Sequence, residues 1–434
     1  MTQRFSATYL IETTSEPMRA ALEMAGEQST ATTMRIAGES DAVVERHGAH
    51  IESLDELESV STLSLPDGRA SAEPVRRARV TLSWPTHNVG ASLPILSTTL
   101  LGNQTGMRRL SGIRLEHLEL PAAFAGQFPR PHFGVAGTRE LVGVHGRPLI
   151  GSIVKPNIGL SPGETAQVAR SLIEGGVDFI KDDELMANPP YCPLSERVPA
   201  VMRVIRDYTE RTGRKVIYAF NISDETDEMK RHHDLVLAEG GNCIMVNLNS
   251  VGLAAVQSLR RHSQLPIHGH RAGWAMLTRH ALLGMNFQPY QALFRLAGVD
   301  QLHVSGLGGK FWESADDILQ SARDCLTPLV RSLQGTPEPR DAQNDDRTMP
   351  VFSGGSTIHE AAPTFVGAGT TDLIYACGGA IFGHPDGIAA GCRSIREAWE
   401  AAIAGVALPD YAAQEGHGAL AAALAHRPVR KVAA

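Results

Sequence analysis

The chain has 434 residues, 43% hydrophobic and 20% charged, a balance that suits one large or two globular domains with a sizeable core. Its formal net charge of −7 argues against a nucleic-acid partner, so an anionic substrate needs a local positive site. Five cysteines without metal spacing, no basic-then-apolar leader in residues 1–13 and no apolar run of about 18 residues argue against a disulfide framework, a signal peptide and a membrane span, and predict a cytoplasmic protein.

Taken in order, residues 5–12 predict a strand with Tyr9 and Ile11 on one face. Residues 16–25 carry Met18, Ala21, Leu22 and Met24 at helical spacing. Residues 32–37 and 79–84 predict two more strands, and 94–101 form an apolar run into Gly102-Asn103. Strands and a helix without regular alternation predict a small α+β domain. Its end falls in the Gly- and Pro-rich region 121–137, and we divide the chain into 1–135 and 136–434.

From Gly146 apolar runs alternate with helical patterns, the mark of repeated βα units. The strand candidates are 149–155, 177–181, 215–221, 243–249, 266–270, 301–305, 349–353 and 372–376. Eight strands with helices between them predict a closed (β/α)8 barrel, an α/β fold. Ser161-Pro162-Gly163-Glu164 and Ser314-Ala315-Asp316-Asp317 read as helix starts. Residues 335–348 read as an exposed loop, and the Ala-rich tail 419–434 fits either a surface helix or a frayed terminus.

In such a barrel the carboxyl ends of the strands face the active site. The second candidate strand ends in Lys181-Asp182-Asp183-Glu184. Two carboxylates there offer hard oxygen ligands for Mg²⁺, and a lysine amine that reacts with CO₂ to form a carbamate supplies a third. A bare four-residue charge run is more often a solvated loop. The whole string Gly176-Val177-Asp178-Phe179-Ile180-Lys181-Asp182-Asp183-Glu184 is more specific. It resembles the signature of the ribulose-bisphosphate carboxylase family at every fixed position. The resemblance implies that Lys181, as N6-carboxylysine, binds Mg²⁺ together with Asp183 and Glu184.

The other strand ends extend the resemblance. Lys155-Pro156-Asn157 closes the first strand, and Pro156 holds the lysine at the strand mouth. The resemblance gives Lys155 proton transfer around an enediolate, while Asn157 replaces a second family lysine. His268-Gly269-His270-Arg271 ends the fifth strand with both histidines on one face. A hydrogen-bonded core pair is as good a reading of the histidines alone, whereas Arg271 adds a permanent cation suited to phosphate. By resemblance His270 lies near metal and substrate, and Arg271 grips a phosphate. His303 matches a phosphate-contacting histidine. The segment Gly306-Leu307-Gly308-Gly309-Lys310 reads as a mobile lid that delivers a cation, and by resemblance Lys310 contacts a carboxyl group. Ser353-Gly354-Gly355 and Gly378-Gly379 end the last two strands, where barrels often hold phosphate.

In the first domain, Glu39 and Asn103 resemble residues that complete the partner subunit's site, which implies a ferredoxin-like domain working in a homodimer or an assembly of dimers. The Thr-Trp pair that follows the glutamate in carboxylases is missing from 41–49. With Asn157 this places the resemblance in the RuBisCO-like (form IV) branch. The retained parts imply a Mg²⁺-dependent decarboxylase acting on a β-keto sugar-acid phosphate of the 3-oxo-isoapionate 4-phosphate type. Arg271 and a lid cation favour a substrate carboxylate. The alternatives are an enolase or isomerase of a methylthio sugar phosphate and a non-catalytic sugar-phosphate binder.

Overall fold

In the first strand, Arg4–Thr13, every second residue from Phe5 to Ile11 is buried, so one face of its sheet carries the core. A computed structural model describes residues 3–30, 38–65, 74–329 and 345–426. Among these residues, contacts group the chain into two compact units. The first contains Met1–Arg130 and Gly273–Ala297, and the second contains Pro131–Ala272 and Gly298–Thr327 with the chain from Asp346 onward.

The first unit is built on a five-stranded sheet in the order Leu283–Met285, Leu110–Glu119, Arg4–Thr13, Val75–Pro85, His50–Val60. The predicted strands 5–12 and 79–84 lie inside observed ones, and the predicted helix overlaps Pro17–Glu27. Candidate strand 32–37 falls outside the described residues. The apolar run 94–101 forms the helix Leu93–Leu101, capped by Ser92. Three strands lack a sequence expectation. His50–Val60 is an edge strand exposed on both faces and rich in acids, so it shows no apolar alternation to read. Leu110–Glu119 lies between two strands, yet it contains Gly112 and two bulges in its pairing with the first strand. Leu283–Met285 has three residues and pairs parallel to Leu110–Glu119.

The second unit is a closed eight-stranded parallel barrel. Its strands are Leu149–Ile153, Phe179–Lys181, Ile217–Asn221, Cys243–Asn247, Ile267–His270, Gln301–His303, Met349–Ser353 and Ile374–Cys377, numbered first to eighth below. All eight overlap the predicted segments. The third and seventh are buried along their whole length, as expected for strands covered by helices on one side and barrel core on the other. Leu149, Phe179, Ile217, Met245, Met349, Val351 and Ile374 meet in the core.

Ser161 caps Pro162–Glu174 through a full capping box with Glu164, and Ser314 caps Ala315–Leu326. The tail forms a helix, Gly418–Ala425, whose Leu420 is buried. Most of the predicted loop 335–348 lies outside the described residues.

Candidate active site

The second strand stops at Lys181, and Asp182 turns the chain. Asp182 is buried and accepts hydrogen bonds from the Tyr218 hydroxyl at 2.7 Å, Arg197 at 3.1 Å and the Asn221 amide at 2.9 Å. Arg197, on the helix Leu194–Thr212, is fully buried. Asn221 and Asn247 donate from their side chains to the carbonyls of Glu184, at 3.2 and 2.8 Å, and Asn221 also to that of Asp183. The second, third and fourth strands thus fix one short loop. Lys181, Asp183 and Glu184 project from it at the strand ends.

These three groups are close. Lys181 Nζ lies 3.9 Å from a Glu184 carboxylate oxygen and donates to the Asp182 carbonyl at 3.0 Å. Asp183, buried, pairs with Lys155 Nζ at 3.0 Å. Lys155 also donates to the Asn157 side-chain oxygen. Burial pushes the Lys181 ammonium down to about 8, against the pull of Glu184 and Asp183. A larger share of neutral amine than in an exposed lysine is therefore present near neutrality, and neutral amine is the form that attacks CO₂.

His270 Nε2 lies 3.6 Å from Glu184. Burial, then the charge of Lys181, hold His270 well below the usual imidazole range, so it is neutral here. Its Nδ1 has no hydrogen-bond partner among the described residues although it is buried, which leaves one donor or acceptor for a ligand. Behind it runs a chain of neutral histidines. Gln301 Oε1 lies 3.0 Å from His268 Nδ1, His268 Nε2 2.8 Å from His303 Nε2, and His303 Nδ1 2.7 Å from the Ser353 hydroxyl. With the Gln301 oxygen as acceptor, His268 donates to it, His303 donates to His268, and Ser353 donates to His303. Both nitrogens of His303 and the one proton of Ser353 are therefore turned inward.

Burial, then the Lys181 charge, push His268 down to about 3. An unfolded histidine titrates near ~6.5, so between ~6.5 and about 3 the unfolded chain holds a proton that the folded chain lacks. Stability rises with pH where the unfolded state binds more protons, so it falls on acidification through this window and gains nothing from His268 above it. The urea midpoint should drop between about pH 7 and about pH 5, and an unchanged midpoint contradicts this assignment.

Arg271 follows His270 and is 6% exposed. It donates to both carboxylate oxygens of Glu313, at 2.9 and 3.0 Å, and to Ser305 at 2.7 Å. Between Ser305 and Glu313 the predicted lid segment rests on the loop after the seventh strand. A Cβ on Gly308 would collide with the Gly355 carbonyl, and one on Gly354, where φ is 90°, with the Phe311 ring. Lys310 is exposed, its amine 5.2 Å above the centre of the Phe311 ring. Its charge still contributes to lowering His270.

The glycine loops border both lysines. A Cβ on Gly355 would touch Lys310 Cβ at 3.2 Å, and one on Gly378 would touch Lys155 Cε at 3.3 Å. Gly378 and Gly379 open the short helix Gly379–Phe382, and first-turn N–H groups lack intrahelical acceptors. Glu39 and Asn103 belong to the first unit. Glu39 is half-buried, and exposed Asn103 donates to Glu27 at 3.0 Å.

Other features of the barrel unit lie away from these residues. A cavity of 530 Å³ lined by Met202, Arg206, Thr209, Lys215 and Asn242 contains none of the residues discussed above. His233, Asp234 and His262 bring ligand atoms within 4.8 Å of one another on two outer helices. There the Gln264 amide donates to His233 Nε2, so His233 Nδ1 carries the proton that it gives to Asp234. Hydrogen bonding already accounts for that group.

The strand-end set is different in kind. Lys181, were it a carbamate, would form with Asp183 and Glu184 an all-oxygen set, with neutral His270 beside it, and that donor chemistry fits Mg²⁺. Profiles of the ribulose bisphosphate carboxylase large chain match residues 5–124 for its N-terminal domain and 134–426 for its catalytic domain. The chain belongs to this family. Members of the family use Mg²⁺ and a carbamylated lysine.

Three similar proteins place the chain among the RuBisCO-like members. A "3-oxo-isoapionate-4-phosphate transcarboxylase/hydrolase" of Xanthobacter autotrophicus is 50% identical over 95% of this chain and 97% of its own. A "3-oxo-isoapionate-4-phosphate decarboxylase" of Rhizobium rhizogenes is 43% identical over 96% and 97%. The crystal structure of a rubisco-like protein from Burkholderia fungorum superposes with a TM-score of 0.89 at 46% identity, covering 97% and 99%. The chain is an enzyme of the RuBisCO-like kind. Among its described residues, no helix is long and apolar enough to cross a membrane.

Sequence reasoning missed the residues that hold this family's strand-end loop here, Asp182, Arg197, Tyr218, Asn221 and Asn247. It also missed Glu313. The doubled Asp182-Asp183 was the only local signal, since two adjacent acids point to opposite sides and one of them needs another partner.

Proposed function

We propose that the chain is a Mg²⁺-dependent decarboxylase of a β-keto sugar-acid phosphate, 3-oxo-isoapionate 4-phosphate or a near analogue. The observation that carries this reading is the likeness, over nearly the whole chain, to two relatives whose names share that substrate. The strand-end geometry supports it. Lys181, Asp183 and Glu184 would hold Mg²⁺, which when bound supplies Lewis-acid charge worth several kcal/mol to a developing enediolate.

The chain's own residues divide the remaining work. The amides at Gly355, Gly378 and Gly379 suit the phosphate, because His303 and Ser353 are turned inward and Arg271 faces Glu313. Neutral His270 offers its unpaired Nδ1 to a substrate oxygen. Lys310 swings from Phe311 to cap the carboxylate before it leaves as CO₂. The electron pair of the broken C–C bond enters the adjacent carbonyl, giving the enediolate. Lys155 Nζ, held by Asp183 and Asn157, then protonates the carbon. Asn157 and the missing Thr-Trp pair argue against sustained carboxylation of ribulose bisphosphate.

The name of the 50%-identical relative favours a second reading. In it the same bond breaks, the carboxyl carbon is passed to another carbon of the substrate, and water divides the product. A branched 3-keto acid phosphate should be consumed under either reading while a methylthio sugar phosphate is left untouched. Efficient enolisation of the methylthio compound, with the keto acid inert, would replace both by a salvage enolase.

We also infer a homodimer with shared sites, supported by the likeness of Glu39 and Asn103 to residues that complete a partner's site. Chains that carry Lys181→Ala or Asn103→Ala alone should each be inactive. Mixing the two should restore part of the activity, because some hybrid sites are intact. Mixed dimers without recovery would count against sharing.

A further inference from the structure

Arg271 stands at the carboxyl end of the fifth strand, where a permanent cation with a planar fork is suited to an anionic ligand. In this chain one arm of that fork, Nη2, is already taken by a carboxylate. Glu313 receives it at 2.9 and 3.0 Å, and both side chains are almost wholly buried, at 6% and 8% exposure. Ser305 closes the triangle, accepting from Arg271 at 2.7 Å and donating to Glu313 at 2.7 Å. Ser305 takes φ 72°, a left-handed conformation that is strained for a non-glycine residue and persists where its surroundings hold it. These contacts make a built site rather than a chance surface pair. A buried carboxylate facing an arginine neutralises it, and removing one partner of such a pair is strongly unfavourable.

We propose that Glu313 is an internal anion that fills the Arg271 site and so restricts the enzyme to sugar acids with a single phosphate. A second phosphate at Arg271 meets a carboxylate instead of a free cation. The location of the first phosphate at Gly355, Gly378 and Gly379 rests on the functional reading above, whereas the role of Glu313 does not depend on turnover.

The test is equilibrium binding of two unreactive polyols, arabinitol 5-phosphate and arabinitol 1,5-bisphosphate, to the whole chain by calorimetry. For the wild type the second phosphate should change Kd by less than about 3-fold. Glu313→Gln keeps the shape and the hydrogen-bond acceptor but removes the charge. It should bind the bisphosphate at least about 10-fold tighter than the monophosphate, as expected for a charge-assisted Arg–phosphate contact. Adding Arg271→Gln to that variant should erase the gain, and Glu313→Ala makes the same comparison where the Gln variant does not fold. A wild type that already prefers the bisphosphate by about 10-fold overturns the proposal. So does a gain that is missing in Glu313→Gln or that survives Arg271→Gln. A monophosphate that binds neither protein, with the bisphosphate gain still present, discards the glycine-loop phosphate reading and leaves Glu313 in its role.

Discussion

Lys181→Ala should abolish metal-dependent turnover, a loss of about 10³-fold or more, because several kcal/mol of Lewis-acid stabilisation go with it. The substitution removes an amine that lies 3.9 Å from Glu184, feels the charge of Asp183 and is driven toward its neutral form by burial. Without the carbamate, Asp183 and Glu184 remain as two ligands, too few for the six-oxygen shell that Mg²⁺ prefers. Lys155, already 3.0 Å from Asp183, would neutralise one of them. The measurement is steady-state turnover with and without added Mg²⁺, alongside metal binding by calorimetry. Turnover in Lys181→Ala that still responds to Mg²⁺ would contradict the assignment.

Lys310→Met should lower turnover by at least about 10²-fold, the lower range for a lost transition-state electrostatic contact. Phosphate affinity should change far less, because on the reading proposed above the amides at Gly355, Gly378 and Gly379, not the Lys310 amine, meet the phosphate. The amine lies 5.2 Å from the Phe311 ring centre in this structure, and on the reading proposed above it acts on the carboxylate as it leaves rather than on initial binding. A variant whose KM rises while kcat holds would assign Lys310 to binding instead.

Particular residues show how far the sequence carries. Each barrel strand is an apolar run that stops at or just before a lysine, asparagine, histidine, serine or glycine, and that change of chemistry marks both the strand and the end that bears polar groups. The set Lys181, Asp183 and Glu184 could be placed at a strand end for the same reason. What holds the set could not. Asp182 meets Arg197 and Tyr218, 15 and 36 residues onward, and nothing near Arg197 in the chain announces a buried partner. Arg271 and Glu313 are 42 residues apart and meet only because the fifth and sixth strands are neighbours. His303 could be placed at a strand end, but its two nitrogens turn toward His268 and Ser353, a choice set by packing across the barrel. The strand His50–Val60 escaped notice because an edge strand in water has no apolar face to declare.

The most direct measurement of the decarboxylase account follows the carboxyl carbon. A branched 3-keto acid phosphate labelled at that carbon is supplied with Mg²⁺, and released CO₂ is counted against substrate consumed. The account predicts one labelled CO₂ for each molecule consumed, with a ketose phosphate as the remaining product. Substrate consumed with the label retained in a carboxylic acid product would contradict it and establish transfer and hydrolysis instead.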